Sequence, residues 1–325
     1  MDRRSFLASL AAVTASLTVS ETIFPGSSSD VNDRMGEVLP RRKLGNTGEY
    51  VTMMGLGGWH VGRLPEKEIQ PVIETAIEQG IRFFDTAEHY QDGRSEERLG
   101  KYLTPKYRDI IFLMTKTRSY DAKTTREHLE GSLRRLNTDH LDLWQIHSLW
   151  SEEDVANRIK NGVFDVVMEA KATGKVRHIG FTGHHTYKSH LKVLEQYTEF
   201  ETCQMPVNPI DINNESFVGN VLPKLVERKM GVLAMKTLAN GRFFRKIEEQ
   251  GNDQVIPNHI SLRDALYFAW SLPISVLING PDNADQLREN AGLAKKFVTL
   301  SEEERMNIIE KVAGFAGGEV EYYKA

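Results

Sequence analysis

The chain has 325 residues, of which 40% are hydrophobic and 26% are charged, a composition typical of a soluble globular protein. Its formal net charge of −4 comes from both signs spread along the chain, which argues against nucleic-acid binding and against a basic membrane-binding face. The single cysteine, Cys203, excludes an intramolecular disulfide and a multi-cysteine metal site, and its apolar surroundings in "TCQMPV" favour a buried, unreactive thiol.

The N-terminal residues have the pattern of an export signal. Arg3 and Arg4 precede "SFL" and a modestly apolar run that ends near Val19, which resembles a bacterial twin-arginine signal and predicts export to the periplasm by the twin-arginine machinery. The alternatives are an amphipathic or disordered N-terminus of a cytoplasmic protein, and a retained anchor, because no A-x-A cleavage site is visible. We assign residues 1–36 to a leader and linker, and residues 37–325 to one folded domain.

Eight short apolar runs follow the leader and alternate with longer amphipathic segments. The runs are "VTMMGLGG", "IRFFDTA", "DIIFLMTK", "LDLWQIH", "RHIGFTG", "TCQMPVN", "MGVLAMKT" and "ISVLING". Their apolar content is typical of parallel strands buried on both faces. Eight strand–helix units predict an α/β fold, a (β/α)8 TIM barrel. A doubly wound open sheet is the main alternative, but no G-x-G-x-x-G follows the first strand in a strand–turn–helix setting.

Other segments are also predicted. "RRKLGNTGEYVTMM" is expected to form a hairpin that plugs the bottom of the barrel, turning at residues 45–48. The helix in "EKEIQPVIETAIEQG" is expected to start late, because Pro71 is tolerated only in a first turn. Extra helices follow the eighth strand, and the last of them carries a capping-box pattern in "SEEERMN". The long connection between Thr237 and Ser261 is expected to be a functional lid or a disordered segment.

Polar side chains stand at the ends of three consecutive predicted strands. Asp85 ends the second strand, Lys116 the third and His147 the fourth, and Tyr90 lies in the loop after the second. Each alone has a simpler explanation: a helix cap, a lysine reaching solvent, or a packed ring. Because the carboxyl ends of barrel strands converge on one open face, we expect the four groups to meet there. Together they predict a catalytic site.

The four groups suit protonation of a carbonyl oxygen. A tyrosine has a pKa of about 10 in model peptides, which is high for proton donation near neutrality. A buried ammonium is expected to lower that pKa, and a paired carboxylate is expected to keep the lysine charged. A neutral histidine can donate a hydrogen bond to the same oxygen. No side chain delivers hydride, so a nicotinamide or flavin is required. The neighbouring His89 is assigned to a loop, and Ser95 to the cap of the next helix.

From "RKLGNTG" and "GLGG" through "DTAEHYQDGRSEERLG" and "MTK" to "QIHS" and "LREN", the sequence resembles the aldo-keto reductase family. The likeness covers almost the whole chain after the leader. Asp85, Tyr90, Lys116 and His147 fall on the family's catalytic positions without a gap. The resemblance implies that Tyr90 is the general acid or base, that Lys116 and Asp85 tune it, and that His147 orients the substrate. It also implies NAD(P)H-dependent reduction of aldehydes or ketones to alcohols, or the reverse.

The resemblance implies a cofactor site with several departures from the family pattern. A Ser-Asn pair and a Gln that hold the nicotinamide carboxamide correspond to Thr182, Gly183 and Gln204. Gly183 lacks the amide, and His184 or a water is the candidate replacement. After the seventh strand, the family's stacking aromatic ring corresponds to Met235. The backbone at Thr237 and Leu238 is expected to approach the pyrophosphate.

At the adenosine end, the family's Glu and Asn match Glu289 and Asn290. The Lys and Arg that typically bind the 2′-phosphate correspond to Gly280 and Gln286. Asp282 lies nearby, and its carboxylate would repel a phosphate but suit a ribose hydroxyl. The cofactor is therefore predicted to be NADP or NAD, with a lean towards NAD, although Arg288 is an alternative phosphate partner.

Trp59 and Trp150 are the candidate walls of the substrate pocket, and each is equally suited to a packed structural role. No metal is expected. The alternative to an enzyme is a binding or regulatory subunit that holds its cofactor without turnover. Because free nicotinamide is scarce outside the cytoplasm, an exported enzyme of this type is expected to hold its cofactor tightly.

Overall fold

The computed structural model describes residues 32–244 and 259–324. Within these residues, eight strands close into a barrel, each strand pairing in parallel with its neighbours. In chain order they are β5 (Met54–Gly57), β6 (Phe83–Asp85), β7 (Phe112–Thr117), β8 (Leu141–Ile146), β9 (Val176–Thr182), β10 (Thr202–Pro206), β11 (Gly231–Met235) and β12 (Val276–Asn279). The predicted (β/α)8 barrel is confirmed.

Alternation along the strands places the polar strand ends inside the barrel. All residues of β6, β7 and β8 are buried. Phe83 and Met114 belong to an apolar cluster formed by strand residues and the N-terminal hairpin. Because side chains two residues apart share a strand face, Asp85 continues the row of Phe83, and Lys116 continues the row of Met114. The barrel interior therefore changes from apolar to ionic at its carboxyl end.

Helices surround the barrel. They are α1 (Gly58–Val61), α2 (Glu66–Glu78), α3 (Arg94–Tyr102), α4 (Thr104–Tyr107), α5 (Ala122–Arg135), α6 (Glu152–Lys160), α7 (Val163–Ala172), α8 (Tyr187–Gln196), α9 (Phe217–Asn220), α10 (Leu222–Glu227), α11 (Leu262–Trp270), α12 (Ala284–Lys295) and α13 (Glu302–Val312). The predicted capping box of α13 is present, formed by Ser301 and Glu304. In the described ranges, no helix is long and apolar enough to cross a membrane.

Helix α2 corrects one prediction, because it begins at Glu66, five residues before Pro71. Ile69, Val72 and Ile73 on its inner face are fully buried, and this burial stabilises the helix despite the missing proline N–H. Pro71 lies on the solvent side. The carbonyl left without a helical partner there can be hydrated, so the cost of the proline is reduced.

The predicted plug at the bottom of the barrel is a hairpin of β3 (Arg41–Lys43) and β4 (Tyr50–Thr52). Leu44 and Val51 pack into the barrel's inner apolar cluster. Gly45 has a φ of 56°, and a Cβ at this position would collide with the backbone where β11 begins. The close approach of hairpin and barrel therefore requires glycine at this turn.

A smaller hairpin lies within the stretch assigned to the leader and linker. Its strands are β1 (Asn32–Asp33) and β2 (Gly36–Glu37). The buried Arg82 guanidinium donates to the Asp33 carboxylate at 2.9 Å, and this ion pair ties the hairpin to the start of β6. The folded part of the chain therefore includes Asn32–Gly36, which the sequence analysis assigned to the leader and linker.

Cys203 lies in β10 and is fully buried, as the sequence predicts. Burial raises the pKa of its thiol well above the ordinary value, so the thiol stays protonated and unreactive. Among the described residues, no cluster of His, Cys, Asp and Glu side chains is suited to hold a metal ion.

Candidate active site

The structure brings the four predicted catalytic residues together at the carboxyl end of the barrel. Asp85 is the last residue of β6, Lys116 lies near the end of β7, and His147 directly follows β8. Because β6, β7 and β8 are neighbours in the barrel, these ends are adjacent. The rings of Tyr90 and His147 are 5.6 Å apart between centroids and meet edge to face.

Lys116 connects the acid to the phenol. Its Nζ contacts the Asp85 carboxylate and donates to the Thr86 carbonyl oxygen at 2.8 Å and to the Tyr90 hydroxyl at 3.3 Å. The nearby Gln204 side chain also lowers the pKa of the Asp85 carboxyl group. Lys116 is 1% exposed and Asp85 is 3% exposed. A charge buried to this degree is stable only when it is paired and hydrogen-bonded, so the two side chains depend on each other.

A strained turn positions Tyr90. Gln91, Asp92 and Gly93 follow it with φ values of 49°, 57° and 89°, which is costly for the two residues that carry a side chain. The prediction that Ser95 caps the next helix is wrong: α3 begins at Arg94, and Gly93 occupies the cap position. The buried Ser95 hydroxyl instead bonds to Gly58 and Thr86, which anchors the Tyr90 loop to two strand ends.

The electrostatics of Tyr90 differ from the expectation. Burial lowers the pKa of Lys116 and raises the pKa of Asp85, and their mutual attraction opposes both shifts. Burial raises the pKa of Tyr90 well above its ordinary value, and the negative charge of Asp85 raises it further. The predicted low pKa of Tyr90 is therefore not observed, because burial disfavours the charged phenolate. Tyr90 therefore keeps its proton at neutral pH, which is the state a general acid requires.

His147 is a neutral imidazole, as predicted. Burial and the nearby Lys116 ammonium hold its pKa well below the ordinary value. Its backbone N–H donates to the Thr117 carbonyl at 2.7 Å, and its carbonyl accepts from the Arg158 guanidinium at 2.9 Å. The buried Nδ1 atom of His147 has no hydrogen-bond partner among the described residues. A ring fixed by its backbone with an unpaired nitrogen is suited to bind a substrate oxygen.

His89 is a site residue that sequence reasoning missed. Its ring centroid lies 4.5 Å from that of His147 and 5.0 Å from that of Tyr90. Burial lowers its pKa to about 4, and the positive charges of Arg118 and Lys116 contribute. The only available signal was its position next to Tyr90, which is equally typical of a loop residue.

The two candidate wall residues have different surroundings. Trp59 meets the Tyr90 ring edge to face at 5.3 Å, so it borders the catalytic groups. Trp150 packs on His185 with ring centroids 3.6 Å apart. Their exposed fractions are 39% and 49%, which is high for a tryptophan that serves only the core.

The position of Gly183 explains one departure from the family pattern. A Cβ there would lie 2.6 Å from the Leu149 carbonyl oxygen and 2.9 Å from the His190 ring. An asparagine therefore does not fit at this position without displacing backbone. Gln204 Oε1 is buried and has no partner among the described residues. An unpaired buried acceptor fits a carboxamide N–H donor.

The segment after β11 offers further polar groups. Met235 ends the strand, and Lys236 follows with a φ of 59°. The Thr237 hydroxyl is buried and unpaired within the described ranges, so it is a donor suited to a phosphate oxygen. Leu238 is half-buried beside it. Most of the predicted lid between Thr237 and Ser261 lies outside the described residues.

The predicted 2′-phosphate positions lie after β12. A Cβ at Gly280 would collide with the His60 ring, so a lysine there requires that ring to move. The Asp282 backbone N–H donates to the Gln286 side chain at 2.9 Å. The Arg288 guanidinium, the alternative phosphate partner, donates to the Asp285 carboxylate at 2.8 Å. In this conformation it is paired with an acid of its own helix.

The two residues predicted to bind the adenosine end, Glu289 and Asn290, lie in α12. Glu289 is exposed, and the Asn290 amide is buried and donates to the Asn279 side chain at 3.0 Å. This bond links α12 to the end of β12. The departures from the phosphate-binding pattern thus lie beside two residues that match the family.

Comparison with known proteins agrees with this geometry. A family model described as "Aldo/keto reductase family" matches residues 53–261. The chain belongs to this family. It is 25% identical over 301 residues to the uncharacterized oxidoreductase YqkF of Bacillus subtilis, covering 82% of this chain and 94% of YqkF. It is 26% identical over 312 residues to L-galactose dehydrogenase of Arabidopsis thaliana, covering 83% and 93%.

Solved structures of aldo-keto reductases have a similar fold. The holo form of aldo-keto reductase AKR11C1 from Bacillus halodurans superposes with a TM-score of 0.72 and 22% sequence identity. The match covers 84% of this chain and 96% of that structure. At this identity the likeness concerns the fold, and it agrees with the closed barrel described above.

In this aldo-keto reductase the turn Tyr322–Lys324 contacts residues that follow β9 and β11. The Tyr323 carbonyl oxygen accepts from His184 Nδ1 at 3.0 Å, and the Tyr322 hydroxyl lies 3.0 Å from Lys236 Nζ. Because the carbonyl only accepts, His184 Nδ1 carries its proton towards this turn and is not available to replace the missing amide. Sequence analysis gave no indication of this contact.

Several histidines of the site make the protein sensitive to acid. Burial lowers the pKa of His184 and of the fully buried His190 to about 4, below the ordinary value of 6.5. The unfolded chain therefore binds more protons than the folded one between these values, so stability falls as pH is lowered through this range.

We expect urea denaturation to show the highest unfolding free energy above pH 6.5 and a steady loss towards pH 4. His190→Gln should flatten this dependence, whereas His140→Gln at an exposed site should leave it unchanged. An unaltered slope in His190→Gln would contradict the account.

Proposed function

We propose that this aldo-keto reductase is an NAD(P)H-dependent oxidoreductase that reduces aldehydes or ketones to alcohols, or catalyses the reverse. The observation that carries the proposal is the position of Lys116 Nζ between the Asp85 carboxylate and the Tyr90 hydroxyl, with the neutral His147 ring beside them. This set can protonate an oxygen, but it contains no hydride donor.

A reduced nicotinamide, when bound, supplies the hydride to the carbonyl carbon. Tyr90 donates its proton to the carbonyl oxygen, and His147 donates a hydrogen bond to the same oxygen and orients it. Lys116 stabilises the phenolate that remains on Tyr90, because its Nζ already lies at 3.3 Å from that oxygen. Asp85 keeps Lys116 charged in a buried position. In the oxidation direction the same Tyr90 oxygen receives the alcohol proton.

The residues present fit a nicotinamide dinucleotide. Thr182 and Gln204 would hold the carboxamide, beside Met235 as an apolar surface. The Thr237 hydroxyl and the backbone to Leu238 would hold the pyrophosphate. The adenosine end would lie against α12. The unpaired buried Gln204 and Thr237 atoms support this assignment.

We infer a preference for NAD over NADP from the site after β12. Residue 280 is a glycine packed against the His60 ring and offers no cation, and the Asp282 carboxylate would repel a 2′-phosphate. Titrations of the protein with NADH and NADPH should show tighter binding of NADH. Asp282→Ala should strengthen NADPH binding about tenfold, as expected when one like charge is removed, and Asp109→Ala at the far end of the barrel should not. A clear NADPH preference that Asp282→Ala leaves unchanged would refute this assignment.

The reductase proposal is tested by mixing the purified protein with NADH or NADPH and a broad panel of aldehydes and ketones. Oxidation of the nicotinamide coupled to alcohol formation would support it. Tight cofactor binding without turnover of any compound would instead indicate a cofactor-holding binding or regulatory subunit, the alternative that the altered residues at 183 and 235 keep open.

We further propose export by the twin-arginine pathway, on the basis of the "RRSFL" pattern in a segment outside the described residues. A cut before Asn32 would preserve the ion pair between Asp33 and Arg82. Export of a folded protein would allow it to carry a tightly held cofactor. Cell fractionation tests this: the full chain should reach the periplasm, and replacing Arg3 and Arg4 by lysine should retain it in the cytoplasm.

A further inference from the structure

Three aromatic rings form a compact triangle at the mouth of the barrel. The centroid separations are 4.5 Å between His89 and His147, 5.0 Å between His89 and Tyr90, and 5.6 Å between Tyr90 and His147. An oxygen that contacts both Tyr90 and His147 therefore lies next to the His89 ring. The mechanism above uses two corners of this triangle and leaves the third unexplained.

The His89 ring has unused hydrogen-bonding capacity. Its Nδ1 atom is buried and has no partner in the described part of the chain, and the same holds for His147. Unpaired buried polar atoms are uncommon in folded proteins because each costs desolvation energy. Two such atoms on adjacent rings, both beside Tyr90, indicate that a polar ligand completes them together.

We propose that His89 is a specificity-determining residue that binds a hydroxyl group on the carbon adjacent to the substrate carbonyl. The substrates are then α-hydroxy aldehydes or α-hydroxy ketones. This inference rests on the proposed reductase function. Oxygens on adjacent carbons lie about one hydrogen-bond length apart, which matches neighbouring contacts on His147 and His89.

The chemistry of His89 favours a hydroxyl over other groups. A neutral imidazole has one donor and one acceptor nitrogen, and a hydroxyl can pair with either. The environment keeps the ring neutral through burial and through the charges of Arg118 and Lys116. Trp59 meets Tyr90 edge to face at 5.3 Å and offers an apolar surface for the remaining carbon chain.

The test compares two aldehydes of the same size, lactaldehyde and 2-methylpropanal, in which a hydroxyl replaces a methyl group. The ratio of their kcat/KM values is measured for the wild type and for His89→Phe, which keeps a ring but cannot hydrogen-bond. Dividing the ratio of the variant by that of the wild type cancels the difference in intrinsic reactivity between the two aldehydes. We expect the lactaldehyde-to-2-methylpropanal ratio of kcat/KM to be about 2- to 13-fold lower in His89→Phe than in the wild type, the effect of one neutral hydrogen bond.

Two further variants separate binding from structural damage. His89→Asn restores a donor and an acceptor and should recover part of the preference for lactaldehyde. His140→Phe changes an exposed histidine just before β8, at the opposite end of the barrel, and should leave both aldehydes unaffected.

Each outcome decides the inference. A selective loss of lactaldehyde reduction in His89→Phe supports it. An equal loss for both aldehydes, or no change in this ratio, overturns it while leaving the reductase proposal intact. Failure of the wild type to reduce either aldehyde, although it reduces other carbonyl compounds of the panel, overturns the substrate assignment. No turnover of any compound overturns the reductase proposal itself.

Discussion

Tyr90→Phe is expected to lower kcat for carbonyl reduction by about 10²- to 10⁴-fold, the usual contribution of a positioned general acid. The substitution removes one oxygen and retains the ring that packs between Trp59 and His147. Lys116 keeps its bonds to Asp85 and Thr86, so the fold should be preserved. Steady-state kinetics together with a binding titration of NADH or NADPH would measure the effect.

The matched control is Tyr102→Phe. The Tyr102 hydroxyl donates to the exposed Glu66 carboxylate at 2.8 Å and contacts none of the four catalytic candidates. This variant should retain full activity. If Tyr90→Phe kept wild-type kcat, or if it lost cofactor binding in parallel with activity, Tyr90 would not be the proton donor.

Asp85→Asn is expected to destabilise the protein by about 3–5 kcal/mol, because it leaves a buried ammonium without its counter-charge. Lys116 is 1% exposed, and its remaining acceptors are a backbone carbonyl and a phenol. Activity should also be lost, since the pKa of Lys116, already lowered by burial, would fall further. Urea denaturation would measure the stability change.

Two comparisons isolate the cause. Asp109→Asn breaks the exposed ion pair with Arg34 and should barely move the denaturation midpoint. Combining Asp85→Asn with Lys116→Met removes both buried charges and should recover most of the stability but none of the activity. If the double variant were as unstable as Asp85→Asn alone, an unpaired charge would not be the reason.

Much of this molecule could be predicted from its sequence because the signals were regular. Apolar runs separated by amphipathic segments determine a parallel barrel, and the barrel geometry places the strand ends together. That is why Asp85, Lys116 and His147 can be grouped from the sequence alone. The turn residues at 45–48 likewise predict the N-terminal hairpin.

Other features depend on burial and on contacts between residues far apart in the chain, which no local sequence pattern predicts. The pKa of Tyr90 depends on how completely its hydroxyl is buried and on the nearby Asp85 charge, and both raise it. The role of Ser95 depends on which backbone oxygen lies within reach, and here it is that of Gly58. Residue 183 is restricted by the Leu149 carbonyl, a contact between distant parts of the chain. His89 belongs to the site because its ring lies 4.5 Å from that of His147, a proximity that the sequence does not predict.

The most direct test of the central claim is to trace the hydride. NADH and NADPH carrying deuterium at the transferable position of the nicotinamide ring are each incubated with the protein and a panel of aldehydes and ketones. Mass spectrometry then locates the label in the products. The account predicts an alcohol with deuterium on the former carbonyl carbon, formed by the wild type and greatly diminished in Tyr90→Phe. Bound nicotinamide with no deuterium transferred to any product would contradict it.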